Sequence, residues 1–459
     1  MSELGWVEAI SFLNARECLE NAYLLEQASQ HLNRGELETA LSVARSVLAK
    51  GGEGFAPYAR EVIADVLDRL AMRYEDVEDW ENALQWRKEL VAHDPSALLP
   101  RLLLAEDMIM AGNYNSAEQE LWQLLSRCPL SVEGWTWMAR CALHRANLPG
   151  GQERSADHKA AVRALIRFAR RSWQVLRKPM WISYPSGVVV RVTVEELYDV
   201  TFAALAFTGR THEAYQVLEA AIAMLGDNDG YLRWLRGSFS PGIQYHLNAN
   251  SLLSVIDHAL AERLLKLSQQ CEAITDLVHD GNYEQAFARL STLPTEVDTL
   301  LSGWATWRKK WLVAYAAESA ANTKQVEAEM DYIALLHQLA PSDEFPLFRW
   351  GELMCTHDHG KALQTFHRLL RRSEKYIEAL IEVARIHYAH RRLRLASRFV
   401  AKAWRTLPSP DWCYYPSESV VRDRLRKLFR LTEKLAAASG DIERANYIRQ
   451  GVEALERNL

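Results

Sequence analysis

One short phrase recurs along this chain of 459 residues and constrains its fold more than any other feature. It runs turn residue, polar residue, large apolar residue, two polar residues, alanine. Gly35-Glu-Leu-Glu-Thr-Ala40, Gly112-Asn-Tyr114-Asn-Ser-Ala117 and Gly209-Arg-Thr-His-Glu-Ala214 carry it in full or nearly so, and Asp79-Trp80-Glu-Asn-Ala83 in shortened form. Gly281-Asn-Tyr283-Glu-Gln-Ala286 and Gly440-Asp-Ile442-Glu-Arg-Ala445 repeat it later. Pro95, Pro129, Pro341 and Pro408 each follow the alanine position by 12 residues, and Ala83 to Ala117, like Ala362 to Ala396, is a step of 34. A glycine that closes one helix, a small residue that lets the next helix approach, and a proline that stops it describe a helical hairpin. A fixed period of such hairpins describes a stacked array.

In these residues the chain resembles the tetratricopeptide repeat family, whose unit is a helical hairpin of about 34 residues. The resemblance implies an all-α fold, a right-handed α-solenoid of about ten hairpins, with the first helix of each lining a concave ligand groove. Conformity is uneven, and the unit around Glu329 is degenerate, with a carboxylate where alanine belongs. Only 14 Pro and 21 Gly punctuate the chain, which suits long helices joined by short turns.

A longer period lies over the first. Gly35 and Ala40 match Gly281 and Ala286 at an offset of 246, as Pro100, Glu106 and Met108 match Pro346, Glu352 and Met354. Ala139 and Arg140 match Ala384 and Arg385 at 245, and Trp173 matches Trp404 at 231. At 231, too, Trp181-Ile-Ser-Tyr184-Pro185-Ser186 and Arg191 match Trp412-Cys-Tyr-Tyr415-Pro416-Ser417 and Arg422. The expected architecture is therefore a block copied once: residues 1–230 and 251–459, each a capping helix plus five hairpins, joined through 231–250. The offset changes across a polar insertion at 145–158, read as a tolerated loop or a partner contact.

Candidate functional residues come from what both halves share. Glu106 and Arg140, with Glu352 and Arg385, are expected on the groove in adjacent hairpins. They read either as ion pairs bridging hairpins or as a charged head for a peptide backbone or carboxylate. Asp65 and Asp68, followed by Glu75 and Asp76, add an acidic stretch, whereas Lys427, Arg430 and Lys434 add a basic one. A groove acidic near one end and basic at the other suits an extended, charge-patterned protein segment. In the duplicated loops, Trp181, Tyr184, Arg191, Trp412, Tyr415 and Arg422 read as helix-end packing or a ligand loop, with serine as a helix cap. Two basic stripes, Arg163, Arg167 and Arg171 and then Arg394, Arg398 and Lys402, recur at i, i+4, i+8. They read as solvated faces or as phosphate contacts, with Trp173 and Trp404 as stacking partners.

Other chemistry is not expected. The chain has no P-loop, no His-Glu-x-x-His, no Gly-x-Ser-x-Gly and no Gly-rich dinucleotide turn. Cys355-Thr-His357-Asp-His359 is matched in the first half by Ile109, Ala111 and Asn113, so no metal site is read there. No cofactor is implied. Six cysteines without paired spacing read as buried apolar residues of a reducing compartment. Glu3 and Glu8 stand where a secretion signal would be basic, and no apolar run approaches a membrane span. The expectation is a cytoplasmic, non-catalytic scaffold or adaptor for another protein. A nucleic-acid-binding or regulatory subunit is the alternative, and a platform for two copies of one partner a third reading.

Overall fold

The structure is a computed structural model that describes residues 3–50, 53–147, 156–183, 187–225 and 245–457. Most of the insertion and of the junction, and Tyr184, lie outside the described residues. The fold is all-α. In chain order the helices are α1 (Glu3–Asn33), α2 (Leu37–Ala49), α3 (Ala56–Glu75), α4 (Trp80–His93), α5 (Leu99–Met110), α6 (Tyr114–Arg127), α7 (Val132–Ala146) and α8 (Ala156–Leu176). There follow α9 (Gly187–Phe207), α10 (Thr211–Leu225), the short α11 (Asn250–Leu253), α12 (His258–His279), α13 (Tyr283–Ser291), the short α14 (Val297–Leu300) and α15 (Trp304–Asn322). The last are α16 (Val326–Leu339), α17 (Glu344–Met354), α18 (His359–Leu370), α19 (Ile377–Ala389), α20 (Leu393–Thr406), α21 (Glu418–Ala438) and α22 (Ile442–Arg457).

Successive helices pair as hairpins, and their turns repeat one hydrogen-bond pattern. After α5, Gly112 N donates to Ile109 O and Asn113 N to Met108 O, at 3.0 and 2.7 Å. These two bonds satisfy carbonyls the helix end would leave open, and they require a left-handed residue at the turn. Gly112 supplies it with φ 78°. The same closure recurs at Gly35, Gly209, Gly281 and Gly440, and also at Glu78, Lys324 and Arg391, where a side chain tolerates φ near 58°. The marker alanines Ala40, Ala83, Ala117, Ala286, Ala362 and Ala396 are fully buried. Glu329 occupies that position in the degenerate unit, and Arg349 of α17 pairs with its buried carboxylate. This explains how the unit tolerates the substitution: the charge that replaced a methyl group is neutralised from the next hairpin.

Two compact units form, and they are cut differently from the sequence halves. The contiguous unit is Ala71–Leu312, and the composite unit joins Met1–Leu70 to Val313–Leu459. In the composite unit the N-terminal hairpin packs on the C-terminal one. Phe12 stacks on Phe429 of α21 at 5.0 Å, and Cys18 Sγ donates to Leu407 O at 3.0 Å. Within the described residues the chain opens on α1, the first helix of that N-terminal hairpin.

Each unit is pinned by a buried glutamate holding the loop that follows a second helix. In the contiguous unit the Glu133 carboxylate accepts from Ile182 N and, at 3.0 Å, from Ser183 N. In the composite unit Glu378 accepts from Cys413 N at 3.1 Å and Tyr414 N at 3.3 Å. The clasped loops then carry their tryptophans onto segments distant in sequence. Trp181 Nε1 donates to Leu300 O at 2.8 Å, while Trp412 packs against Phe55 with ring centroids 5.8 Å apart. Gly54 allows this approach, since a Cβ there would sit 2.5 Å from Pro410 Cδ.

Two stability predictions follow from the turns and the clasp. Nothing lies within 4 Å of a Cβ built on Gly112, so Gly112→Ala reads the backbone cost alone, about 1–2 kcal/mol. Arg391→Gly is expected to stabilise by about 0.5–1 kcal/mol for the converse reason. Glu378→Ala strands one buried and one partly buried N–H donor and is expected to cost about 3 kcal/mol, with Glu378→Gln, which keeps one acceptor, near 1 kcal/mol. Urea unfolding followed by circular dichroism measures all four.

Candidate partner-binding surfaces

The first helices of successive hairpins bring ionisable side chains together in each unit. In the contiguous unit these are Glu75 on α3, Glu106 and Asp107 on α5, Arg140 on α7, and Glu196 and Asp199 on α9. Arg87, buried on α4, donates to Glu75 at 2.6 Å and to Asp107 at 3.3 Å. Arg140 Nη1 lies 3.5 Å from Glu196 and 3.6 Å from Asp199. The pair drawn from the spacing, Arg140 with Glu106, is thus displaced by one hairpin. Glu106 instead faces Glu196, Asp107 and Glu75, with Arg87 the nearest compensation. Burial first, and these like charges second, push its carboxyl up to about 8. Burial likewise lifts Asp199 to about 7 against the opposing pull of Arg140.

The composite unit uses equivalent positions with the opposite balance. Glu352 is held by Arg349 at 3.0 Å, by Arg424 at 3.3 Å and by the Tyr414 hydroxyl at 2.8 Å. Arg385 pairs with Glu382 on its own helix at 2.7 Å, so here too the expected partner is replaced. At the offset of 231, Glu196 and Asp199 of α9 become Lys427 and Arg430 of α21. Lys427 pairs with Asp423 at 2.9 Å, and Arg430 and Lys434 are exposed. Asp65 and Asp68, also in this unit, lie on α3, where Asp65 pairs with Arg69 at 3.2 Å. The acidic stretch is therefore split: Glu75 and Asp76 belong to the other unit.

The duplicated loops pack rather than open. Trp181 and Trp412 are buried, Ser417 Oγ caps α21 by accepting from Val420 N, and Arg422 pairs with Glu418. Tyr415 is half exposed, edge-on to Tyr58 and bonded to Ser29, whereas Arg191 is exposed on α9. In the basic stripes Arg163, Arg167, Arg394 and Arg398 are exposed, Arg171 is half-buried, and Lys402 pairs with Glu374 at 2.6 Å. The aromatic partners assigned to them are corrected. Trp173 is completely buried, its indole N–H held by Thr201 at 3.0 Å, and Trp404 repeats that bond to Thr432 at 3.1 Å. The aromatics beside the first stripe are Trp122 and Trp135 instead.

Sequence reasoning missed Glu133 and Glu378, which match at 245 and were detectable by extending the alignment of the halves. It also missed Glu196 and Asp199, because comparison of what the halves share is blind to positions where they differ in sign. All six cysteines are unpaired and buried. Among the described residues no group of three or more His, Cys, Asp or Glu side chains is placed to hold a metal ion.

No family model and no curated protein matches the chain. Solved structures similar to it include the TPR domain of P58(IPK), at 14% identity over 90% of this chain and 98% of that one, TM-score 0.25. A human IFIT1 dimer with PPP-AAAA is similar at 12% identity over 96% and 95%, TM-score 0.26. The APC/C hetero-tetramer Cut9–Hcn1 is similar at 11% identity over 86% and 79%, TM-score 0.25. Scores and identities this low carry no functional argument. The paired helices, their repeated left-handed closures and their buried marker alanines make this chain an all-α array of tetratricopeptide-like helical hairpins.

Proposed function

We propose that the chain is a non-catalytic scaffold that holds segments of another protein against the first helices of its hairpins. The observation that carries this reading is the charge on those helices. In the contiguous unit five carboxylates (Glu75, Glu106, Asp107, Glu196, Asp199) face two guanidiniums (Arg87, Arg140). Carboxyl groups drawn out of water with too few cations are costly to ionise, and a cationic partner would favour their charged form. Lys427, Arg430 and Lys434 give the composite unit the complementary preference for acidic segments. Stacked hairpins are preorganised, so the bound segment bears most of the ordering cost. Unpaired buried cysteines support a reducing compartment such as the cytoplasm. Among the described residues no helix is long and apolar enough to cross a membrane.

Charge reversal tests the proposal. Affinity capture with the wild-type chain, followed by calorimetry on the purified partner, is expected to give a complex weakened at least ~10-fold by Glu196→Lys or by Lys427→Glu. Unchanged binding in both variants, with native melting curves, would sink the assignment of the surfaces. The raised carboxyls give the acidic surface a pH signature. A folded-state value of about 8 leaves Glu106 mainly neutral at pH 7. Attraction for a cationic segment is therefore lost as pH falls through about 8, and through about 7 for Asp199. Affinity for a basic peptide should rise between pH 6 and pH 9, roughly 10-fold for one coupled carboxyl, and Glu106→Gln should flatten the upper part of that rise.

A further inference from the structure

A second surface lies on α8 of the contiguous unit, away from the carboxylates just described. From Asp157 to Lys178 the chain carries seven Lys or Arg and one acidic residue, in a protein of net charge −5. Arg163, Arg167 and Arg171 stand at i, i+4, i+8, hence about 6 Å apart along the helix axis. Among the described residues Arg163, Arg167, Arg170 and Arg171 have no carboxylate partner. An ordinary solvated face mixes signs and gains from i, i+4 pairs; this one does neither.

The stripe borders exposed aromatic surface. Trp122 of α6 is 44% exposed, set edge-on to Trp135 of α7 at 5.7 Å and to Phe168 at 6.0 Å. The Trp135 indole is fixed by its bond to Pro129 O at 2.9 Å. The guanidinium of Arg167 lies 4.5 Å over the Phe168 ring, and that of Arg171 lies 5.6 Å over Trp135. Packing does not demand these indoles. At the offset of 245 the other half has His367 for Trp122 and Leu380 for Trp135, while keeping Phe399 for Phe168 at 231. The equivalent hairpins are built there with no tryptophan at either position.

We propose that this face, Trp122 and Trp135 with Arg163, Arg167 and Arg171, binds single-stranded nucleic acid without sequence preference. The arginines take successive phosphates and the exposed indole takes an unpaired base by stacking. A held aromatic plane flanked by a row of guanidiniums that have no carboxylate partner among the described residues suits that combination. An acidic peptide would use the charges and leave the indole idle. Duplex offers phosphates but no free base. This surface is distinct from the protein-binding one, and either can fail without the other.

Fluorescence anisotropy with the full-length chain and labelled 15-nucleotide oligo-dT, a duplex of equal length and a poly-glutamate peptide decides the matter. Binding to the single strand is expected to weaken with salt at a log–log slope of about −2, as for three phosphates. Trp122→Ala should weaken it about 10-fold, with Trp122→Phe retaining most of the affinity. Arg167→Glu with Arg171→Glu should abolish it, whereas Arg394→Glu with Arg398→Glu in the other half should leave it unchanged. Any of four results would overturn the proposal. These are no binding at 50 mM salt, no effect of Trp122→Ala, equal loss from the reversals in both halves, or binding of poly-glutamate or duplex as tight as that of oligo-dT.

Discussion

A carboxylate buried against backbone N–H groups holds each unit together. A loop that leaves a helix must find acceptors for its amides once it is covered by the next element. Glu378 and Glu133 supply them from the first helix of the hairpin that the loop leaves, each accepting from two successive amides of the clasped loop. Burial pushes the Glu378 carboxyl up to about 7 even though the amide bonds pull it down. The bonds are satisfied by an acceptor that is costly to bury, and the return is position. With the loop fixed, Trp412 reaches Phe55 and Trp181 reaches Leu300. Those contacts are made to segments far away in sequence. The contact of Trp412 with Phe55, together with Phe12 on Phe429 and Cys18 on Leu407, joins the first hairpin of the chain to the last in one unit.

Repetition of a scaffold frees its surface to diverge. The bonds that build the hairpins recur in both units, down to Trp173 with Thr201 and Trp404 with Thr432. The charges on the first helices recur only in part: Glu106 and Arg140 have counterparts in Glu352 and Arg385, but others change sign. Glu196 and Asp199 are carboxylates where Lys427 and Arg430 are cations, and Trp122 stands where His367 does. Packing constrains the shared set through buried area and hydrogen bonds, whereas a charge beside the edge of the core can change sign when its ionic neighbours change with it.

Much of the fold was legible in the sequence, because its signals are local. A left-handed turn needs glycine or something that tolerates positive φ, and a close helix approach needs alanine, so Gly112 and Ala117 announce a hairpin within six residues of chain. The candidate surfaces were legible only in outline. Spacing placed Glu106, Arg140, Glu352 and Arg385 on first helices, but the ionic partners came from elsewhere: Glu196 and Asp199 for Arg140, Arg424 for Glu352. Ion pairing depends on distances of a few ångströms between helices, and no one-dimensional spacing carries these.

The sequence by itself determined the hairpin and its all-helical repetition, since the residues that close and cap each turn sit within a few positions of it. Only the tertiary structure decided which hairpins share a core. Met1–Leu70 joins Val313–Leu459 because Phe12, Cys18 and Phe55 bury surface against Phe429, Leu407 and Trp412. Apolar burial is non-directional and blind to chain order, so any exposed face of complementary shape can satisfy it. The clasping glutamates choose among such faces, and their choice becomes visible only when amides distant in sequence come within 3.3 Å of one carboxylate.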